Sequence, residues 1–279
     1  MSHRNAPAKI NLGLHVLRRR GDGYHDIETV FIRIPWADLL RAEAADTLRL
    51  TCTDASLPVD ERNLVIQAAR RLDVRRGAHL VLEKHLPAGA GLGGGSSDAA
   101  ATLLLLNEVW DLGRSNEELH EIAAQLGSDV PFFVDDGTAA LGMGRGERLE
   151  PLLDPDTDEP YVLPYPLVVV VPPVHVSTAE AYQLVEPDAD DRPDLAELVL
   201  SNDLERWREE LINDFQGPLL TRFPAVAETK TALEHAGAAY TSLSGSGSAV
   251  FGVFEDAAQA EAAAEALRQT GHRTWHGTV

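Results

Sequence analysis

The chain has 279 residues and sets 44 acidic side chains against 24 basic ones (21 Arg and 3 Lys), a net charge of −20. Holding a nucleic-acid backbone or an anionic membrane surface by charge requires a basic face, so neither is expected as a partner. A composition that is 44% hydrophobic and 24% charged excludes disorder and collagen. The longest purely aliphatic stretch, Leu167 to Val171, is far shorter than the roughly 20 residues of a membrane span. A single cysteine, Cys52, allows neither an intrachain disulfide nor a zinc cluster. No apolar secretory segment opens the sequence, and a cytoplasmic protein is expected, a monomer or a weak homodimer.

Residues 1–155 carry 23 acids and 17 bases, residues 156–279 carry 21 and 7, net charges of −6 and −14. The change falls at Asp154-Pro155-Asp156-Thr157-Asp158-Glu159-Pro160. Such a run predicts a solvated linker between two domains, 1–155 and 156–279.

Ala8 to Leu17 alternates, with Ile10, Leu12, Leu14 and Val16 on one face and Lys9, Asn11, Gly13 and His15 on the other. This predicts a strand with a polar face. Arg18-Arg19-Arg20 and the Gly21-Asp22-Gly23 turn lead to a second apolar run, Ile27 to Ile34, and the two form a hairpin. Strands are expected at Leu48 to Thr53 and His79 to Glu83, with a helix over Leu64 to Leu72 between them. After the glycine-rich segment Pro87 to Asp98, Ala99 to Trp110 is apolar almost all round and predicts a buried helix, capped by the preceding serines with an aspartate in its first turn. Ser115 and Glu118 form a capping box for a further helix that closes at Gly127.

Beyond the acidic run, a strand (Leu167 to Val171) precedes a helix opened by Ser177 and boxed by Glu180. A surface loop is expected over Glu186 to Asp194. One or two helices (Leu195 to Leu211, Ala225 to His235) lead to strands at Ala239 to Leu243 and Ala249 to Phe254, a helix over Ala257 to Gln269 and a short strand, His272 to Trp275. That order is βαββαβ and suggests a ferredoxin-like layer of helices on a mixed sheet.

Five of the seven residues from 89 to 95 are glycine, and the run ends in Ser96-Ser97 at a helix start. Bare backbone N–H groups at the positive end of a helix dipole hold phosphates. The dinucleotide fingerprint Gly89 to Gly94 fails in context, because no second parallel strand with an acid follows; no Gly-Lys-Ser/Thr is present, so a Walker A loop fails too. Ser242-Leu243-Ser244-Gly245-Ser246-Gly247-Ser248 is either a hairpin connection or a second wall around the phosphates. Asp129, held between Gly127 and Pro131, is either a proton acceptor or the cap of a turn. Lys9 is one of only three lysines in an arginine-using chain.

Taken together, Pro7-Ala8-Lys9-Ile10-Asn11-Leu12 with Gly23-Tyr24-His25, Pro87 to Ala100, Leu126 to Phe133 and Leu243 to Phe251 resemble, in order, the motifs of the GHMP kinases. The resemblance spans nearly the whole chain. It implies an α+β, two-domain fold: an N-terminal ribosomal-S5-like α/β domain that binds ATP phosphates, and a C-terminal ferredoxin-like domain that contributes to the substrate site. Gly23-Tyr24-His25 resembles the branch that phosphorylates a cytidine diphosphate conjugate in isoprenoid precursor synthesis. A family kinase for mevalonate, homoserine or a sugar, or a non-catalytic sensor on this fold, is the alternative.

By that resemblance, Asp129 is the base and Lys9 its cationic partner. Pro87, Gly89, Gly91, Leu92, Gly93, Gly94, Gly95, Ser96 and Ser97, with Gly245 and Gly247, hold ATP. Magnesium arrives with the nucleotide, and no protein metal site is implied. Asn11, Tyr24, His25, Thr178 and Tyr182 bind the substrate, one tyrosine stacking on the base. Two positions depart from the pattern: Asp98 replaces a common Asn, which is tolerable only facing a helix dipole or a magnesium ion, and Tyr182 replaces a common Phe.

The charge leads to a prediction of its own. With an excess of 20 acids, self-repulsion destabilises the compact state until salt screens it. Melting temperature should therefore rise with KCl between about 0.1 and 2 M, as in proteins from saline environments, and by more than sucrose produces by surface exclusion alone.

Overall fold

A computed structural model describes residues 2–279. They form two compact units, one of residues 2–8, Pro35–Ala88 and Gly93–Asp136, the other of Lys9–Ile34, Gly89–Leu92 and Gly137–Val279. This division differs from the expected cut at 155/156. The reason lies in the opening hairpin, whose strands β1 (Ser2–Arg19) and β2 (His25–Ala45) are far longer than the alternating segments and contribute residues to each unit. Its turn is closed by Arg20 N–H donating to Tyr24 O (2.8 Å), with Gly23 at φ 88°. Arg18 and Arg20 pair with Asp26. With Asp22 also on Arg20, two carboxylates offset two of the run's three charges.

In the first unit, β2 continues to Ala45 and pairs antiparallel with β4 (Gly77–Glu83), which pairs in parallel with β3 (Arg49–Cys52). Helix α1 (Leu64–Leu72) occupies the predicted span; Asn63 caps it by accepting from Val65 N–H, and Arg70 and Arg71 suit the negative end of its dipole. Helix α2 (Gly94–Val109) begins five residues before the predicted start. Its N-cap is Gly93, left-handed at φ 71°, rather than a serine, and no acid lies in its first turn. The helix absorbs Gly94 and Gly95 because Gly93 can take the left-handed turn that a side chain would resist. The segment from Ser97 to Leu106 is buried almost all round, as its composition requires. Helix α3 (Asn116–Leu126) carries the expected capping box and closes at Gly127.

One charged cluster lies inside this unit. Lys84, after β4, contacts Asp38 of β2 and Asp98 of α2, the latter at 2.8 Å, and all three side chains are essentially out of solvent. Asp98 thus faces a buried ammonium instead of the dipole or magnesium expected of it. Burial, reinforced by the Asp38 charge, pushes its carboxyl up to about 7 despite Lys84.

In the second unit, β2 pairs from Ile27 to Ile32 with β5 (Ala139–Gly144), and β5 with β6 (Arg148–Pro151). The acidic run is no linker: Asp154 Oδ1 accepts from the N–H groups of Asp156 and Thr157, and Leu153 bridges to Pro160, an Asx-closed turn. The remainder is β7 (Leu167–Val171), α4 (Thr178–Leu184), α5 (Leu195–Leu200), α6 (Leu204–Glu210), α7 (Gln216–Arg222), α8 (Pro224–His235), β8 (Tyr240–Leu243), β9 (Val250–Val253), α9 (Ala257–Gln269) and β10 (Arg273–Gly277). The sheet runs β10-β7-β9-β8 with every pair antiparallel rather than mixed as expected, because each crossover returns the chain beside a strand of opposite direction. With the middle helices as one crossover, this is the predicted ferredoxin-like order.

Helix α9 buries Ala260, Ala263, Ala264 and Leu267, an i, i+3, i+4, i+7 stripe, in a core with Val168, Val170 and Val250. Four short helices replace the one or two predicted, because Asn202 turns left-handed (φ 50°) before the Asp203 cap, and Pro224 restarts the chain after Phe223. The Ser177 box does not form; Glu180 pairs instead with Arg222 at 3.7 Å.

The buried cluster sets a pH dependence. Asp98 titrates near 3.8 unfolded and about 7 folded, so folding favours its protonated form and stability falls as pH rises between these values. Asp98→Asn removes this effect. Its stability relative to the parent should climb from pH 4 to pH 7 and level off above, as read by urea unfolding at fixed ionic strength.

Candidate active site

The polar face of β1 is not exposed to solvent, as an alternating strand would ordinarily be. Lys9, Asn11 and His15 are 3%, 2% and 1% exposed, so both faces of the strand are buried. A buried ammonium needs oxygen partners, and Lys9 Nζ donates to Asn11 Oδ1 at 2.6 Å. Asn11 Nδ2 donates to Thr29 Oγ1 (2.9 Å), whose hydroxyl donates to Gly13 O (2.6 Å). Each member's orientation is thereby set by the next. Lys9 Nζ also lies 5.4 Å from the centroid of the Phe31 ring.

Two glycine turns meet this strand. Lys9 N–H donates to Leu92 O at 3.0 Å, Ser244 Oγ to Gly91 O at 2.8 Å, and Ala249 N–H to Ala90 O at 3.0 Å. Gly91 adopts φ +79°, and a Cβ there would overlap the Ser244 carbonyl oxygen; at Gly245, φ +55°, a Cβ would stand 3.1 Å from Asn11 Oδ1 and 3.4 Å from Lys9 Nζ. The segment between β8 and β9 is therefore both a hairpin connection and a wall packed on the first glycine run. Gly247 is left-handed as well (φ +74°). Gly89 turns at φ +65°, where a Cβ would meet His175 at 2.9 Å.

Asn213 has no counterpart among the residues singled out from the sequence. Fully buried, it donates through Nδ2 to Leu243 O (3.0 Å) and Gly245 O (2.9 Å) and sets the second turn. Nothing in Leu211-Ile212-Asn213-Asp214-Phe215 marks it, because its partners are carbonyls about 30 residues away. Beside it, Asp214 accepts from Val16 N–H and from the guanidinium fork of Arg192, tying the 186–194 loop to β1.

In the first unit, Gly93 has no side chain with which to cap α2. The N–H groups of Gly94, Gly95 and Ser96 are thus open at the positive end of a 16-residue helix, a fit for phosphate oxygens. Ser97 differs from expectation: its N–H is taken by Gly93 O (2.8 Å) and its hydroxyl is buried. Pro87 is buried and Leu92 is 1% exposed, so their side chains serve packing. Asp129 is partly buried in the turn after α3, and the short helical turn that follows it, Pro131–Phe133, packs on α2 and α3.

The aromatic candidates form a layered group. His25 stacks on Tyr182 with centroids 4.6 Å apart and planes at 12°, and Tyr182 meets Phe215 edge-on at 4.9 Å. Burial, then the Arg19 charge, lowers the His25 pKa, which keeps the imidazole neutral with one donor and one acceptor nitrogen. Tyr24 is 55% exposed, with the Arg145 guanidinium 5.0 Å from its ring centroid. Thr178 Oγ1 lies 3.1 Å from Ser246 Oγ and so joins α4 to the second glycine turn.

Comparison with known proteins identifies the family. The GHMP kinases N terminal domain matches residues 63–137 and the GHMP kinases C terminal domain residues 195–273. The chain belongs to the GHMP kinases, ATP-dependent small-molecule kinases, and has their two-domain fold. Among its relatives, the 4-diphosphocytidyl-2-C-methyl-D-erythritol kinase of Salinibacter ruber is 56% identical over 97% of this chain and 96% of its own length. That of Prosthecochloris aestuarii is 45% identical over 95% and 93%. A crystal structure of 4-(cytidine 5'-diphospho)-2C-methyl-D-erythritol kinase superposes with a TM-score of 0.82 at 37% identity, covering 99% and 98% of the two chains. Homoserine kinase from Cytophaga hutchinsonii, 19% identical with a TM-score of 0.66, shares the fold. No helix among the described residues is long and apolar enough to cross a membrane.

The close approach of the two turns is testable. Gly91→Ala adds both a strained φ and a clash with backbone. It should lower stability by about 2 kcal/mol or more and weaken nucleotide binding, measured by urea unfolding and by titration with a nonhydrolysable ATP analogue.

Proposed function

We propose that this chain transfers the γ-phosphoryl group of ATP to the 2-hydroxyl of 4-diphosphocytidyl-2-C-methyl-D-erythritol. The observation that carries the reading is the buried Lys9–Asn11–Thr29 chain closed against two glycine turns. Near-full-length similarity to kinases bearing that name supports it.

Phosphoryl transfer asks a protein mainly for positioning and charge stabilisation. The open N–H groups of Gly94, Gly95 and Ser96 bind the nucleotide phosphates, and Gly89, Gly91, Gly245 and Gly247 offer the nucleotide backbone without side chains. Bound ATP, with the magnesium it carries, supplies the transferable group. Asp129 takes the proton of the substrate hydroxyl. Lys9 stabilises the developing alkoxide, while Asn11, whose amide is oriented by Thr29, hydrogen-bonds the tetrol.

The His25–Tyr182 pair supports recognition of a flat base, since a neutral imidazole offers both a donor and an acceptor and each ring adds a stacking surface. Tyr24 and Thr178 complete the set.

An ADP-release assay with ATP, magnesium and a panel of the cytidylyl compound, mevalonate, homoserine and galactose tests the reading. ADP should appear with the first alone; release with mevalonate or homoserine and none with the cytidylyl compound would overturn it. Asp129→Asn and Lys9→Ala should each lower turnover about 10²-fold or more, and the double variant should lose much less than the product. Tyr182→Ala should weaken substrate binding by roughly 1 to 3 kcal/mol at unchanged ATP affinity, with Tyr182→Phe nearly silent.

A further inference from the structure

The buried Lys84–Asp38–Asp98 cluster takes no part in the chemistry just described. Replacing such a cluster by apolar residues of similar size is often neutral or stabilising, so stability does not account for it. Its placement points to another role. Asp38 anchors one end: Oδ2 meets the Lys84 ammonium, and Oδ1 accepts from the N–H groups of His85 and of Leu86, the latter at 2.8 Å. At the other end, Lys84 Nζ donates to Asp98 Oδ2 at 2.8 Å, one helical turn beyond Gly94. A Cβ built on Gly94 would stand 3.5 Å from the same Nζ. The ammonium thus lies directly beneath the first residue of α2.

Helix α2 needs such an anchor. It is apolar almost all round, and hydrophobic burial is non-directional, so packing hides the helix without choosing its rotation. Gly93, Gly94 and Gly95 have no side chains to hold their own backbone, and glycine is the residue with the most conformational freedom to lose. A charge-assisted hydrogen bond from a strand-anchored ammonium is directional. We propose that Lys84 and Asp98 are positioning residues for the nucleotide: through the Lys84–Asp98 bond they set the rotation of α2, and with it the direction of the Gly94, Gly95 and Ser96 N–H groups. The inference rests on reading that turn as the ATP phosphate site.

Affinity for magnesium AMP-PNP and for adenosine, which lacks phosphates, is measured by calorimetry on the parent and on Asp98→Ala, Asp98→Leu and Asp98→Asn, each verified as folded by thermal melting. Leu is included because it fills the volume that Ala leaves empty. Asp98→Ala and Asp98→Leu should weaken AMP-PNP about tenfold or more and leave adenosine unchanged. Asp98→Asn keeps an oxygen acceptor for Lys84 and should remain within about threefold of the parent, a difference near 0.65 kcal/mol by RT ln 3. Amide exchange at residues 94–97 should quicken in the Ala variant and not in Asn. Parent-like AMP-PNP affinity in both Ala and Leu variants, equal loss of adenosine and AMP-PNP, or an Asn variant as weak as Ala overturns the inference alone. Failure of the unmodified protein to bind AMP-PNP overturns the ATP reading, and this inference with it.

Discussion

An ammonium taken out of water must be given oxygen atoms in return, and the rest of this structure is arranged around meeting that demand for Lys9. The strand face that carries it is buried, so its partners must come from the protein. Asn11 supplies the first, two residues along the same face, and Asn11 in turn is held by Thr29 of the neighbouring strand. The result is a cation at low exposure whose position follows from the β-pleat rather than from a flexible side chain. A lysine on a solvated strand would keep its rotamer freedom and its hydration, and would lose the electrostatic leverage that low dielectric confers.

Backbone approach is the second constraint. The Ala90–Leu92 carbonyls receive hydrogen bonds from Ala249 N–H, Ser244 Oγ and Lys9 N–H, so two separate pieces of chain, the β8–β9 turn and β1, converge on three successive peptide groups. At this separation the residue at 91 can have no side chain. The glycines are therefore steric requirements of the convergence as well as a means of exposing N–H groups. Asn213 holds the opposite turn by the carbonyls of Leu243 and Gly245.

Charge is handled in two distinct ways. At the surface, arginines pair with neighbouring acids, as in Arg20 with Asp22 and Asp26, contacts of small individual worth. In the interior, two of the three lysines are used, Lys9 with an amide and Lys84 with two carboxylates. At both sites a compact ammonium on a flexible stem is the donor and side-chain oxygens are the acceptors.

The sequence by itself determined the elements whose signals are local. Helix α1 and helix α9 have their predicted bounds because apolar periodicity and a capping side chain lie within the segment. The Ser115–Glu118 box formed because both partners are three residues apart. The βαββαβ order followed from patterning, and the four motif segments were legible because each is short and contiguous. Tertiary structure decided what depends on distant partners. The start of α2 moved to Gly94 because left-handed Gly93 replaces a side-chain cap; the Ser177 box gave way to the Glu180–Arg222 pair; the acidic run closed on Asp154 instead of linking domains. The carbonyls held by Asn213 and the contacts of the Lys84–Asp38–Asp98 cluster carry no local pattern, since they join residues from 14 to 48 positions apart. A polar residue inside an alternating strand reads as solvent-facing from its neighbours alone. Whether it faces water or another layer of protein is fixed by what packs on that face, and that choice belongs to the folded chain.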